Sequence, residues 1–150
     1  MQLIANNKKA YFQYFILEKI EAGIQLSGDE VKSLRTGKAS ISESYAETKK
    51  GELFLINSDI SAYEKSSNYS KFASKRIRKL LIHKKDIKKL QGKVEKEGMT
   101  IVPLKIYFNK KGLVKLEIAI AKGKKLYDKR EEKKKKDWNL QQKRLLKNFR

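Results

Sequence analysis

The chain contains no cysteine, and only one histidine, one proline and one tryptophan among its 150 residues. Without cysteine there is neither a disulfide nor a thiolate metal site, and a lone histidine excludes a His-cluster metal centre. No apolar run approaches the roughly 18 residues of a membrane span. The opening Met1-Gln2-Leu3-Ile4-Ala5-Asn6 is not a signal peptide. Acidic residues are also scarce: 17 Asp and Glu face 37 Lys and Arg, a net charge of +20. Self-repulsion on that scale favours a polyanionic partner, nucleic acid first and an anionic membrane surface second. The missing cysteines fit a reducing cytoplasm.

What is present is enough for one small core and an appendage. Residues 11–17, rich in aromatic and β-branched side chains, read as a strand. Ile20, Ala22, Ile24 and Leu26 then alternate with Lys19, Glu21, Gly23 and Gln25, as in a half-buried strand with a polar outer face. Ser27 and Glu30 form a capping-box pattern ahead of a short helix. Val31 and Leu34 share one face of that helix, and Lys32 and Arg35 another. Residues 45–48 and 52–56 flank Lys49-Lys50-Gly51, a hairpin signal. The Ser-rich residues 63–75 read as a flexible loop, and Ile77, Leu80, Leu81 and Ile82 as a strand. Residues 83–98 read as a helix with Ile87, Leu90 and Val94 on one face and Gly98 as its stop. Val102, Leu104, Ile106 and Phe108 alternate, Asn109 to Gly112 turns the chain, and Val114, Leu116, Ile118 and Ile120 alternate again. Pro103 marks an edge or irregular position.

This pattern predicts a mainly β fold with short helices. The expected form is a small antiparallel oligonucleotide-binding-type barrel with a basic C-terminal tail. The strand order does not follow from the pattern.

Enzyme chemistry finds no support in the sequence. There is no Ser-His-Asp constellation, no Walker-type phosphate loop and no metal-ligand spacing, so no catalytic residue, cofactor or metal is assigned. His83, at a strand-to-helix junction, reads as a cap or surface residue. The basic residues carry more. Lys8, Lys9, Lys32, Arg35, Lys122, Lys124 and Lys125 fall at strand or helix ends, where long side chains reach a phosphate backbone. Gly123 between lysines permits close backbone approach.

The body is expected to span residues 1–127, with residues 128–150 a flexible basic tail that becomes helical when bound. As a helix, the tail sets Trp138, Gln142, Leu145 and Phe149 on a narrow amphipathic stripe beside Leu146. Too little of it is apolar for it to fold alone. The stripe is also too narrow to favour a membrane surface.

Six segments occur in an order that resembles the SmpB (SsrA-binding protein) family. They are Asn7-Lys8-Lys9-Ala10, Glu21-Ala22-Gly23, Glu30-Val31-Lys32-Ser33-Leu34-Arg35, Arg78-Lys79-Leu80-Leu81-Ile82-His83-Lys84, Val102-Pro103-Leu104-Lys105 and the run from Ala121 to Arg130. The resemblance implies a bacterial ribosome-rescue adaptor. It would bind the tRNA-like domain of tmRNA and bring it to 70S ribosomes stalled without a stop codon, its tail entering the empty mRNA channel. The implied partners are tmRNA, the stalled ribosome with its rRNA, and, as a candidate third, elongation factor Tu on the same tmRNA. By the same resemblance Asn7, Glu21 and Leu81 match tmRNA-binding positions, and Gly123, Lys124 and Lys125 a pre-tail motif. Tyr127, Asp128, Lys129, Arg130 and Trp138 match tail positions linked to ribosome function. The chain departs from many relatives at Phe72-Ala73-Ser74-Lys75, where a proline is expected, and at Tyr11, where a basic residue is expected. A structural ribosomal protein binding rRNA is the competing reading of the same charge.

Overall fold

Period-two alternation fixes most of the strands, and the turns between them follow from local chemistry. The computed structural model describes residues 1–66 and 69–148, apart from the side chains of 70, 126–129 and 146–148. In chain order the elements are β1 (Gln2–Asn6), α1 (Lys8–Gln13), β2 (Tyr14–Ile24), α2 (Gly28–Arg35), β3 (Ala39–Ser40), β4 (Tyr45–Lys49) and β5 (Glu52–Ile56). There follow β6 (Asp59–Ile60), β7 (Arg78–Leu81), α3 (Lys84–Glu97), β8 (Thr100–Phe108), β9 (Val114–Gly123) and α4 (Leu126–Asn148).

All pairings in the main sheet are antiparallel. They run β8-β4-β5-β7-β2-β9 and return through β9 to β8, a barrel-like ring with β1 added outside β8. The ring is thin at two seams: β4 meets β8 only through Ala46 and Ile101, and β2 meets β7 through Gly23–Leu81 and Ile24–Leu80. The β4–β5 hairpin turns at Lys50 and Gly51, both with positive φ (52° and 76°). That is the backbone demanded by a two-residue hairpin whose twist matches its strands. The mainly β architecture with short helices is thus as the alternation predicted.

Inside the ring lie Leu34, Leu53, Leu55, Leu80, Leu90, Ile101, Ile106, Leu116 and Ile118, each at most 1% exposed. Helix α3 packs against β5 and β8, burying Ile87 and Leu90, and stops at Gly98 as expected.

The start of the chain departs from the sequence reading. Residues 11–13 are helical, not extended, and β2 is one strand from Tyr14. The six residues of α1 are too few for a helical period to show. Asn7 caps the helix, its Oδ1 accepting from the Ala10 N–H at 3.3 Å, and tertiary packing holds Ala10 against β8 and β9. Strand β1, paired with β8, and the short β3–β6 pair carry no alternation long enough to show in the sequence. The loop before β7 is tied at its far end, where Phe72 packs on the core and the Ser74 carbonyl accepts from the Ile60 N–H at 3.0 Å.

A second correction concerns β8. Val102 and Leu104 do not share a face with Ile106 and Phe108. The register slips between Pro103 and Lys105, and one extra residue turns every later side chain over. Val102 and Leu104 therefore pack outside the ring under α1, with Ala10, Ala119 and Ala121, while Ile106 and Phe108 point into it. Strand β2 slips in the same way between Ile16 and Glu18. Ile16 belongs to the outer cluster, and Ile20, Ala22 and Ile24 to the inner one.

A charged pair, Arg78 and Glu30, is buried against the core. Arg78 is fully buried and donates from Nε to Glu30 Oε2 (2.5 Å), from Nη1 to the Ser58 carbonyl (3.1 Å) and hydroxyl (2.8 Å), and from Nη2 to the Ser74 carbonyl (3.0 Å). Glu30 also accepts from Arg76 Nη2 at 2.6 Å and from the Ser27 N–H at 2.9 Å. The last contact is half of the predicted capping box, which is complete. Burial would raise the Glu30 pKa, but Arg76, the Ser27 N–H and Arg78 outweigh it and hold the carboxyl below its ordinary 4.5. Burial pushes Arg78 down, yet a guanidinium starts so far above neutrality that it stays charged.

Glu30→Ala strands a buried guanidinium, and urea denaturation is expected to show a loss of about 3–5 kcal/mol. The folded-state pKa of Glu30 is depressed, so its contribution is complete above 4.5 and drains as pH falls through the folded value. The stability difference between wild type and Glu30→Ala should accordingly shrink on acidification below that range.

Candidate RNA-binding surface

The outer surface of β8, β9 and β2 has two halves. One is covered by α1. The other, beyond both register slips, carries Lys105, Tyr107, Lys115, Glu117, Lys19 and Glu21 facing outwards. Glu21 stands directly across from Glu117 in the β2–β9 pairing. Like charges so placed repel, and each carboxylate is compensated differently. Glu117 has Lys105 at 3.7 Å and Lys19 at 4.0 Å. Glu21 has no cation within 4.0 Å among the described residues and accepts a hydrogen bond from the Tyr107 hydroxyl. Burial, that hydrogen bond and the nearby Glu117 raise the Tyr107 pKa far above its ordinary value, so the phenol remains a donor throughout the physiological range.

Glu21 opens onto a groove of about 510 Å³ between β2 and the β7–α3 junction, lined also by Gly23, Lys79, Leu81, His83 and Lys115. Leu81 is 52% exposed there. The strands meet where Gly23 pairs with Leu81. A Cβ on Gly23 would lie 3.3 Å from the Leu81 Cβ, so the glycine permits this close approach. The groove thus unites Glu21 and Leu81, which are 60 positions apart in sequence, through strand pairing alone. On its wall Lys79 donates to Glu52 at 3.0 Å. His83 is exposed at the N-cap position of α3 and makes no side-chain capping bond.

The remaining predicted residues scatter. Lys8 and Lys9 are exposed on α1, Lys9 pairing with Glu43 at 2.8 Å. Lys32 and Arg35 are exposed on α2, with the Lys32 ammonium 5.7 Å from the Tyr63 ring centroid. Lys122, Gly123 and Lys125 are exposed at the end of β9. Two of the predicted residues are buried. Asn7 is only 3% exposed and spends its side chain on Ala10 and on the Pro103 carbonyl (2.8 Å), so it shapes the α1 junction rather than presenting a polar group. Lys124 is buried: its ammonium donates to the Tyr11 carbonyl at 3.0 Å, pairs with Glu132 and lies 5.0 Å from the Phe15 ring centroid. It ties β9, α1 and α4 together instead of reaching outwards.

In α4, Arg130 and Trp138 are exposed, Trp138 by 61%. The side chains of Tyr127, Asp128, Lys129 and Leu146, and all of Phe149, lie outside the described residues. Among the described residues no group of three His, Asp or Glu could hold a metal ion, and no helix is long and apolar enough to cross a membrane.

A family model described as SmpB protein matches residues 4–148. The chain belongs to the SmpB family. Among similar SmpB sequences, an SsrA-binding protein of Nitrobacter winogradskyi is 54% identical over 146 residues, covering 97% of this chain and 92% of its own length. One from a Bradyrhizobium species is 55% identical over 142 residues, covering 95% and 90%. A solved chain from the structure "tmRNA-SmpB: a journey to the center of the bacterial ribosome" superposes with a TM-score of 0.67. It is 50% identical, over 81% of this chain and 84% of that one. The SmpB motifs include Glu21 and Leu81. They do not include Tyr107 or Lys115, whose part in the surface depends on strand order and on the β8 slip. A basic residue on an outward strand position was the only signal that Lys115 offered.

Lys124→Met keeps the length of the side chain and removes its charge. It is expected to release the first turns of α4, speeding amide exchange there by about tenfold while leaving exchange in the barrel unchanged.

Proposed function

We propose that this chain is a tmRNA-binding adaptor of trans-translation. It binds the tRNA-like domain of tmRNA with its barrel and brings it to ribosomes stalled without a stop codon. The observation that carries this is the groove holding Glu21 and Leu81 on a chain of the SmpB family whose net charge is +20. The relatives' description as SsrA-binding proteins and the ribosomal setting of the superposed chain support it. The lysines of the outer surface supply attraction to phosphates. The carboxylate and the exposed leucine contribute selectivity, since neither is suited to a phosphate. On this reading the protein acts by binding, performs no reaction of its own and works in the cytoplasm with the ribosome. Residues 1–127 are the RNA-binding body, and residues 128–150 are the tail that serves on the ribosome. Tyr127, Asp128, Lys129, Arg130 and Trp138 belong to that second role. The exposed Trp138 is suited to stacking on a base or filling a pocket.

A competition titration of the tRNA-like domain against an ordinary tRNA, repeated over a salt series, tests the first role. Both affinities should fall with salt, while a large preference for the tRNA-like domain persists. Equal affinities that collapse together would favour a general rRNA-binding protein instead. Deleting residues 128–150 should leave that preference intact and abolish tagging of stalled peptides in a reconstituted translation assay. Equal loss of both would reject the division of labour.

A further inference from the structure

Glu21 is an acceptor in a surface built for anions, and what makes it usable is the group behind it. Tyr107 is 5% exposed. Its strand places it beyond the β8 register slip, so its side chain leaves the core and meets Glu21 across β9. Only Glu21 Oε2 takes this hydrogen bond. The ring is held in turn by Lys105, whose ammonium stands 5.5 Å from its centroid and 3.7 Å from Glu117.

We propose that Tyr107 is a positioning residue that fixes the Glu21 carboxylate at the rim of the groove, so that its second oxygen accepts from a neutral donor on RNA, a base amino or imino group or a ribose hydroxyl. The proposal rests on the adaptor reading and says how one group of that site is set. A freely rotating carboxylate beside Glu117 swings away from its like-charged neighbour and loses its aim. The phenol holds it by a bond to one oxygen and adds no positive charge, so the site does not become one more phosphate contact. A lysine in place of Tyr107 would do the opposite. The ligand chemistry follows: phosphate is repelled by the remaining oxygen, while N–H and O–H donors are accepted.

The test is a double-mutant cycle on full-length protein, with affinity for the tRNA-like domain of tmRNA and for an ordinary tRNA as readouts. Tyr107→Phe keeps the ring and removes only the hydroxyl. It should weaken binding of the tRNA-like domain roughly three- to tenfold, leave ordinary tRNA binding unchanged and have no further effect in a Glu21→Ala background. A slowly exchanging Tyr107 hydroxyl proton should appear in the NMR spectrum of the wild type and be lost in Glu21→Ala, a signature that packing alone would not move. The same loss of affinity in both backgrounds, or wild-type binding by Tyr107→Phe or by Glu21→Ala, overturns the positioning role while the adaptor reading stands. A wild type that does not distinguish the two RNAs overturns the adaptor reading itself, and the role of Tyr107 with it.

Discussion

Three pieces of the chain converge on the guanidinium of Arg78. Glu30 reaches it from α2, Ser58 from the turn after β5, Ser74 from the loop before β7, and Arg78 itself begins β7. A buried ion pair of this kind does not stabilise a fold more than well-packed apolar side chains would. Its effect here is geometric. Each acceptor has one place to be, so the pieces that carry them are set relative to β7. Leu81 is three residues further along that strand, and the β2–β7 seam that places it against Gly23 has only two residue pairs. A seam so short gains from being fixed at one end by a group that tolerates little displacement.

The second constraint lies on the other side of the groove. Strand β9 keeps one register throughout, while β2 and β8 on either side each slip once. The slips divide the outer surface: below them apolar side chains need α1 as a cover, and above them polar side chains meet water. Without the slip in β8, Tyr107 would point into the core and Ile106 outwards. Without the slip in β2, the parity that brings Ile16 under α1 would turn Glu21 inwards. Two extra residues, one on each flanking strand, thus set the cover and the polar surface side by side.

Much of this was readable from the sequence. The capping box at Ser27 and Glu30, the hairpin at Lys50 and Gly51, the stop of α3 and the outward face of Glu21 all depend on residues near one another in the chain, where period and turn chemistry act. What was not readable depends on partners that sequence does not order. Residues 11–13 are rich in aromatic side chains and look extended, yet Asn7 and the outer apolar cluster make them helical. Lys124 looks like any other lysine of a basic run, and only the Tyr11 carbonyl, Phe15 and Glu132 arriving from elsewhere bury it. The continuous alternation of Val102, Leu104, Ile106 and Phe108 hid the slip because apolar residues occupy both faces there; Pro103 was the single hint of irregularity.

The charge of the protein invites the view that lysines alone explain what it binds, and the arrangement of its acids argues otherwise. Attraction between lysines and phosphates is shared by every RNA and weakens with salt for all of them. Adding further lysines raises affinity for right and wrong partners alike. A carboxylate works differently: any RNA that brings phosphate to it loses binding energy, and only one that brings a neutral donor to the same point recovers it. Discrimination therefore grows as the carboxylate becomes better fixed, because a mobile one moves aside for the wrong partner. In the surface described above, Glu117 is offset by two lysines and contributes little field of its own. Glu21 is restrained by an uncharged hydroxyl and has no cation within ion-pair distance among the described residues. On the adaptor reading, that difference between neighbouring carboxylates is what makes one of them a selector and the other a support.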